Sequence, residues 1–210
     1  MLIVGSDASR VDGELGAGRI GCPECGAGLG PWGWARPRPL RWGGGRERRV
    51  RPRRARCGGC GRTHVLLPEF CLLRRRDAVE VIGAALVAKA QGAGYRRIAG
   101  DLAVPAETVR GWLRRFGALA ERVRAHFWGW GHALDASLPA FEPAGTSVGD
   151  AVAAVGAAAR AAVLRLGSRP AWAWVSAMSG GRLLCNTSCP WPVPWGPGTL
   201  SGLASQRGGS

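Results

Sequence analysis

Apolar residues recur at helical spacing in the middle of the chain. Val79, Ile82 and Leu86 lie three and four residues apart, so they would share one face of a helix. Asp77 stands near the start of this pattern, where a negative charge favours the helix dipole. Glycines in the segment 91–94 indicate where the helix ends. The pattern therefore predicts one helix between these two limits.

Two further helices are predicted directly after it. Residues 95–102 form a short amphipathic segment, 103–105 a tight turn, and Pro105 favours the first turn of a third helix over 106–116. The apolar positions of the third helix follow a helical repeat; they are Val109, Trp112, Leu113 and Phe116. Two short helices joined by a tight turn are typical of a helix-turn-helix unit. The alternative is a three-helix bundle without that role.

Upstream of the helices, the pattern predicts short strands. Trp32 and Trp34 are two residues apart, which on a strand would place both side chains on one face. Glycines at 43–45 predict a turn, and residues 50–55 predict a strand that returns along the first. A further strand is predicted over 63–68, ending at its proline.

Helical spacing returns in the C-terminal half of the chain. Residues 119–138 predict a further helix, and Ser147 is the predicted N-cap of an alanine-rich helix that ends near Leu166. Such a helix must pack on the preceding helices, on its neighbour 170–178 or on a second copy of itself. An intramolecular contact and a homodimer are therefore both open.

The two ends of the chain show little periodicity. Residues 1–20 carry glycine, serine and aspartate, which predicts a loose N-terminal arm. Residues 179–210 form a tail rich in proline, glycine and serine. The spacing of Cys185 and Cys189 in this tail leaves a second metal site open, and its proline-tryptophan run leaves open a strip for a protein partner.

Two Cys-x-x-Cys pairs, each followed by glycine, are the most specific chemical signal. Cys22 and Cys25 form the first pair, Cys57 and Cys60 the second, and 31 residues separate them. Four thiolates are the ligand set of a closed tetrahedral Zn²⁺ site, so we predict one structural zinc ion. Two disulfides or four unrelated thiols are the alternatives. His64 could replace a thiolate, but a structural histidine is favoured because the four-cysteine set is complete.

Together these patterns predict a mixed, mainly α fold. A small β zinc ribbon would be followed by a three-helix helix-turn-helix unit and by additional C-terminal helices. Five regions are expected; they are a disordered arm at 1–20, the zinc ribbon at 21–71, the helix-turn-helix DNA-binding domain at 74–118, a helical region at 119–178 and the tail at 179–210.

The charge balance indicates a polyanionic partner. The chain of 210 residues has a formal net charge of +15, and Lys89 is its single lysine. Ten arginines lie between Arg36 and Arg56 against one acid, Glu47. Arginine suits bidentate contacts with phosphate and guanine. A solvated or disordered run is the alternative, but a metal site at both ends would present these charges on an ordered surface.

These features together predict binding of double-stranded DNA by the third helix. Glu107, Thr108 and Arg110 are expected near base edges in the major groove. Arg114 and Arg115 are expected near phosphates. The remaining expected contacts are arginines of the second helix and of the ribbon; they are Arg96, Arg97, Arg53, Arg54 and Arg56.

No targeting or membrane-spanning segment is predicted. The apolar start at 1–4 is too short for the core of a signal peptide. Arg160 and Arg165 interrupt the longest apolar run before it reaches the ~20 residues of a membrane span. We therefore expect a soluble, cytoplasmic, nucleoid-associated protein with reduced thiols.

Three motifs precede the helix-turn-helix pattern. They are Cys-Pro-x-Cys-Gly at 22–26, Arg-Arg-Ala-Arg-Cys-x-x-Cys-Gly-x-Thr-His-x-Leu-Leu-Pro at 53–68, and Arg-Arg-x-Asp-x-x-Glu-Val-Ile-Gly at 74–83. This order resembles an uncharacterised bacterial family of zinc-ribbon plus helix-turn-helix proteins, which is similar to the N-terminal DNA-recognition half of insertion-sequence transposases. The likeness covers about residues 20–118. It implies DNA binding and a mobile-element ancestry. A transposase and the transcription machinery are the protein partners left open by the alternative functions below.

A transposase active site is not expected in this chain. Such an enzyme needs three carboxylates in an RNase H-like domain to hold two divalent metals. The acids after residue 118 are Glu121, Asp135, Glu142 and Asp150, within a span of 30 residues. We therefore expect a non-enzymatic protein. Two alternatives are an accessory DNA-recognition subunit that acts with a catalytic partner in trans, and a protein-interaction adaptor.

Overall fold

The computed structural model describes residues 1–185 and shows a β-rich N-terminal part followed by helices, as predicted. The strands in this range are β1 (Leu2–Val4), β2 (Leu29–Trp34), β3 (Arg38–Gly43), β4 (Arg46–Val50), β5 (Arg53–Cys57) and β6 (Thr63–Pro68). The helices are α1 (Ala8–Gly16), α2 (Val79–Ala90), α3 (Tyr95–Leu102), α4 (Ala106–Leu134), α5 (Ser147–Leu166) and α6 (Ala171–Met178). Cys189 and the proline-tryptophan run of the tail lie outside the described residues.

Strands β1, β6, β5 and β2 form one sheet in that order, with β1 parallel to β6 and the other neighbours antiparallel. Helix α1 covers one side of this sheet. Its Val11 and Leu15 are buried in a small apolar cluster with Leu29 and Leu66. The cysteine-bearing loops stand at one end of the same sheet, since Cys57 pairs with Leu29.

The N-terminal residues differ from the expected loose arm. Leu2–Val4 adds a strand to the free edge of β6. The Asp7 carboxylate caps α1 by accepting a hydrogen bond of 3.1 Å from the backbone N–H of Arg10. Both elements are too short to give a periodic sequence signal, and the strand is stabilised by a partner more than sixty residues away in the chain.

A β-bulge separates the two tryptophans of β2. Sequence spacing predicted one face for both, but the pairing of β2 with β5 shifts at this point, and Gly33 has a φ of +84°. The Arg56 guanidinium lies over the Trp32 ring, and the Arg53 guanidinium lies over the Trp34 ring. Because residues 53 and 56 of one strand point to opposite sides, the two tryptophans also lie on opposite sides of the sheet.

Strands β3 and β4 form a separate hairpin whose turn lies at the predicted glycines. The single return strand predicted for 50–55 is divided, because β4 ends at Val50 and β5 begins at Arg53. Pro52, which lies between them, has no N–H to continue a ladder. Leu40 and Val50 are buried in the large apolar core that the helices form.

The helical part is organised around α4, which is longer than predicted. Its buried residues recur at helical spacing from end to end; they are Val109, Trp112, Phe116, Ala120, Val123, Phe127 and Trp130. The expected helices at 106–116 and 119–138 are therefore mostly one helix, and the expected domain boundary after residue 118 falls inside it. The apolar repeat is continuous across this point, so nothing in the packing ends the helix there.

Helix α5 runs alongside α4 in the same direction. A Cβ on Gly117 would lie 3.9 Å from Val148, and one on Gly131 would lie 3.9 Å from Ala158. The cap of α5 is Thr146, whose hydroxyl accepts a hydrogen bond of 3.0 Å from the backbone N–H of Gly149, and not the expected Ser147.

One helix within residues 1–185 has the length and composition to cross a membrane, although the sequence pattern predicted none. It is α5, whose most apolar window has a mean hydropathy of 1.4. Half of that window is buried inside the protein, where alanines such as Ala154 and Ala158 pack in the core with α4. This burial is typical of a core helix.

Gly83 on α2 is required by its contact with Trp172 on α6. A Cβ at position 83 would lie 2.1 Å from the indole ring. We expect Gly83→Ala to lower the free energy of unfolding by about 1–3 kcal/mol, measured by urea denaturation. Gly111→Ala is the matched control, because nothing lies within 4 Å of its added Cβ and alanine should stabilise α4 by about 1 kcal/mol. Equal effects of the two substitutions would contradict this packing.

Candidate metal centre and basic surface

The four cysteines of the two predicted pairs converge at the end of the sheet. Their sulfur atoms all lie within 4.8 Å of one another, with Cys22 and Cys60 at 3.7 Å and Cys25 and Cys57 at 3.4 Å. Tetrahedral coordination with Zn–S bonds of ~2.3 Å places sulfur atoms about 3.8 Å apart. The cluster therefore has the donor chemistry and the dimensions to hold one metal ion. This arrangement confirms that the cysteines could bind a metal.

Glycine shapes both cysteine loops. Gly26 and Gly61, which follow the two pairs, have φ values of +77° and +70°, a region that side chains other than glycine rarely adopt. Their N–H groups donate hydrogen bonds to the carbonyls of Cys22 and Cys57 at 2.8 and 3.1 Å. Each loop is thereby closed into a tight turn that aims its two thiols at the same point.

The thiols of the second pair differ in acidity. A hydrogen bond from the backbone N–H of Cys60 is the main cause that lowers the pKa of Cys57 to about 6. A backbone N–H of Arg62 favours the Cys60 thiolate, but burial and the neighbouring thiols prevail and raise the pKa of Cys60 to about 11. Adjacent thiolates repel one another, so the cluster ionises stepwise without a cation. A coordinating thiol is deprotonated outright by a bound metal ion.

His64 lies beside the cluster without joining it. Its Nε2 atom is 3.5 Å from the Cys22 sulfur, and its side chain is buried. Burial lowers the pKa of His64, so the ring is neutral at pH 7. The four-thiol group is complete without this ring, which agrees with the structural role favoured for it. A neutral imidazole N–H at this place can donate a hydrogen bond to the Cys22 thiolate.

Helices α3 and α4 are joined by a tight turn. Ala103 has a φ of +52°, the left-handed conformation that glycine commonly occupies, and Val104 is buried next to it. The N-terminal part of α4 buries Val109 and Trp112. Its opposite side is exposed.

The predicted contact residues of the helices lie at the surface to different degrees. Exposed residues are Arg96, Arg97, Glu107, Arg110 and Arg114, whereas Thr108 and Arg115 are half-buried. Arg97 lies 3.9 Å from Asp101, and Arg110 lies 3.4 Å from Glu107. Both ion pairs are exposed to solvent, so they hold these guanidinium groups only weakly.

The predicted ribbon contacts separate into two groups. Arg53 donates a hydrogen bond of 2.6 Å to Asp12 of α1, and 17% of its side chain is exposed. The charge of Arg53 is therefore neutralised within the fold. The sequence pattern did not predict this ion pair, because it placed Asp12 in a loose N-terminal arm. Arg54 is half-buried and Arg56 is exposed, and neither forms an ion pair with another residue of the described range.

Two further arginines of the basic run connect the ribbon to the helices. Arg41 of β3 forms an ion pair of 2.9 Å with buried Asp77, and the backbone of Arg41 hydrogen-bonds to Arg76 and Ala78. Arg48 packs over the ring of Phe70 at 5.1 Å. The sequence pattern did not indicate these structural roles, because opposite charges far apart in the chain carry no signal of their pairing.

Comparison with known proteins gives one family. The family described as Domain of unknown function (DUF6431) matches residues 22–112. No curated protein and no solved structure matches the chain. The matched segment begins at the first cysteine of the candidate metal centre and ends in the N-terminal part of α4. Over this segment, which contains the cysteine cluster, the basic hairpin and the turn between α3 and α4, the chain is similar to that family.

Proposed function

We propose that this protein binds double-stranded DNA through a helix-turn-helix formed by α3, the turn and the N-terminal part of α4, and that a structural zinc ion stabilises it. The observation that carries the proposal is that the N-terminal part of α4 has one buried face and one exposed face. Val109 and Trp112 fix the helix to the core, while Glu107, Arg110 and Arg114 are exposed on the other side. A helix N-terminus with exposed polar side chains is the part that enters the major groove in helix-turn-helix proteins.

The charges around this surface favour a phosphate backbone. Arg96 and Arg97 are exposed on α3, next to the proposed recognition helix. Arg114 is exposed and Arg115 is half-buried on α4, so positive charge continues from α3 onto the proposed recognition helix. In this arrangement Arg110 contacts a base edge and Arg114 a phosphate.

The ribbon supports the proposed recognition helix because the two parts share contacts. The hydrogen bonds between Arg41 and the segment 76–78 tie β3 to the residues that precede α2. Leu40 and Val50 of the hairpin are buried in the same apolar core as α4. Exposed hairpin arginines would therefore have a defined position relative to the DNA and extend the contact along its phosphates.

Selection from random duplex DNA tests the proposal. We expect the zinc-loaded protein to enrich a defined sequence, with an affinity that falls as salt increases, and we expect a chelator to weaken the enrichment. Sequencing of the bound DNA measures the preference, and zinc analysis of the same sample shows whether the metal is present. Binding without sequence preference and without salt dependence would contradict the proposal.

A further inference from the structure

Two exposed tryptophans mark the edge strand β2. Trp32 is 48% exposed and Trp34 is 42% exposed, and they are two of the four large apolar residues exposed within residues 1–185. An exposed indole at the edge of a basic sheet has no role in the core and offers a flat aromatic face to a partner. The bulge at Gly33 places the two rings on opposite sides of the sheet, so each side must be judged by its own neighbours.

The arginine nearest to the Trp34 ring is neutralised within the fold, whereas the exposed Arg51 lies farther from the same ring, at 5.7 Å from its centre. The nearest guanidinium, that of Arg53, lies 4.2 Å from the Trp34 ring centre and forms a short ion pair with Asp12 of α1. This stack of carboxylate, guanidinium and indole attaches α1 to the sheet. Its contacts explain Trp34 as a structural residue.

The Trp32 side carries positive charge that the described part of the protein does not neutralise. Arg56 lies over the ring at 4.8 Å, and Arg54, two residues earlier on β5, points to the same side of the sheet. Neither arginine forms an ion pair within residues 1–185. An exposed aromatic ring beside arginines that have no acidic partner is complementary to a group that is both flat and anionic.

A glycine-rich depression adjoins this surface. It has a volume of about 770 Å³ and is open to solvent. The depression lies between the end of α1 and the cysteine loops, and it meets the Trp32 surface at Arg56. Its lining includes Leu15 and Gly16 of α1 and a set of glycines; these are Gly18, Gly28, Gly30, Gly58, Gly59 and Gly61. Glycine leaves the backbone accessible, so a sugar and its phosphate could approach the chain closely here.

We propose that the Trp32 side of β2 binds unpaired nucleotides, with one base stacked on Trp32 and the adjacent phosphates held by Arg54 and Arg56. Aromatic stacking accepts any base, because every base has a π face, and arginine adds attraction to the phosphate chain. A duplex cannot use this site in the same way, because its bases are already stacked on each other. The inference thus goes beyond the proposed duplex binding by α4 and uses a separate surface.

A comparison of two short single strands tests the stacking directly. One is oligothymidylate, and the other is an abasic deoxyribose-phosphate strand of the same length and charge. We expect the zinc-loaded wild-type protein to bind oligothymidylate about 5- to 150-fold more tightly, the range that one stacked base contributes. Fluorescence anisotropy of labelled strands measures both affinities. Trp32→Ala should bind the two strands with nearly equal affinity, whereas Trp32→Phe should retain most of the preference for oligothymidylate.

Trp34→Ala is the matched control, because Trp34 has nearly the same exposure on the same strand but its nearest guanidinium, that of Arg53, is paired with Asp12. This variant should keep the wild-type ratio of the affinities for oligothymidylate and for the abasic strand. Trp32→Leu serves as a second variant if Trp32→Ala does not retain zinc, because leucine keeps an apolar side chain without an aromatic face. Equal binding of both strands by the wild type, or an unchanged ratio in Trp32→Ala or Trp32→Leu, would overturn the proposal.

Two further arms separate this site from α4 and identify the nucleic acid. Arg110→Ala should leave the preference for oligothymidylate over the abasic strand unchanged, even where it weakens duplex binding. The proposed duplex site and the proposed single-strand site can therefore be refuted independently of each other. Oligouridylate replaces oligothymidylate in the last arm. If oligothymidylate and oligouridylate are both preferred over the abasic strand, and both preferences depend on Trp32, the site recognises unpaired bases in general. If only one of the two is preferred, that strand is identified as the ligand.

Discussion

Cys57→Ser is expected to release the metal and to unfold the β-rich N-terminal part of the protein. The apolar cluster beneath α1 contains few residues, so it provides little stability by itself. Binding of a structural zinc ion in a small ribbon contributes roughly 10–16 kcal/mol, which exceeds what such a core can supply. Metal analysis of the purified variant and far-UV circular dichroism during thermal unfolding measure the two effects. A chelator should produce the same change in the wild-type protein.

Removal of a different thiol provides the control. Cys71 is fully buried in the large core, and burial raises the pKa of its thiol. Cys71→Ala leaves all four thiols of the cluster in place and should retain one zinc ion per chain. Wild-type protein without zinc, or an N-terminal part that unfolds at the same temperature in Cys57→Ser, would rule out a structural metal.

Arg110→Ala is expected to weaken DNA binding by about 1–3 kcal/mol and to relax the preference at one base pair. Within residues 1–185, the exposed Arg110 guanidinium is paired only with the exposed Glu107, so it can exchange this partner for the edge of a guanine. Titration of duplexes that differ at single positions measures both effects. An arginine that reads a base changes discrimination between sequences, whereas one that contacts a phosphate does not.

Two other arginines complete this test. Arg49→Ala removes an exposed charge of the hairpin, and we expect it to weaken all sequences equally and to reduce the salt slope by about one. Arg122→Ala removes an exposed charge from a later turn of α4, outside the proposed surface, and should change neither quantity. The proposed recognition helix would be refuted if Arg110→Ala and Arg122→Ala behaved alike.

Loss of the metal should also affect the helices, because the ribbon and the helical part are packed together. Leu40 and Val50 belong to the helical core, and Arg41 neutralises the buried carboxylate of Asp77. A displaced hairpin would leave that carboxylate buried without its ion-pair partner, which is costly. Zinc removal would therefore weaken duplex binding even though no zinc ligand lies near α4.

The features that depend on local geometry could be predicted from the order of residues alone. The cluster of four thiols could be predicted from the two Cys-x-x-Cys pairs. Each pair, with the glycine that follows it, specifies a tight turn that does not depend on the rest of the fold. The buried faces of α2 and of the first part of α4 also followed from periodicity, since helical spacing places residues such as Val109 and Trp112 on one side of any helix.

Features that depend on partners distant in the chain became visible in the folded protein. It assigned Arg53 to Asp12 and Arg41 to Asp77, so part of the basic run became structural, because an ion pair depends on positions that the fold creates. One extra residue at Gly33 reversed the side of Trp34 relative to Trp32, since strand side chains alternate with a period of two. Local patterns cannot encode either result, because both depend on contacts between elements that are distant in the chain.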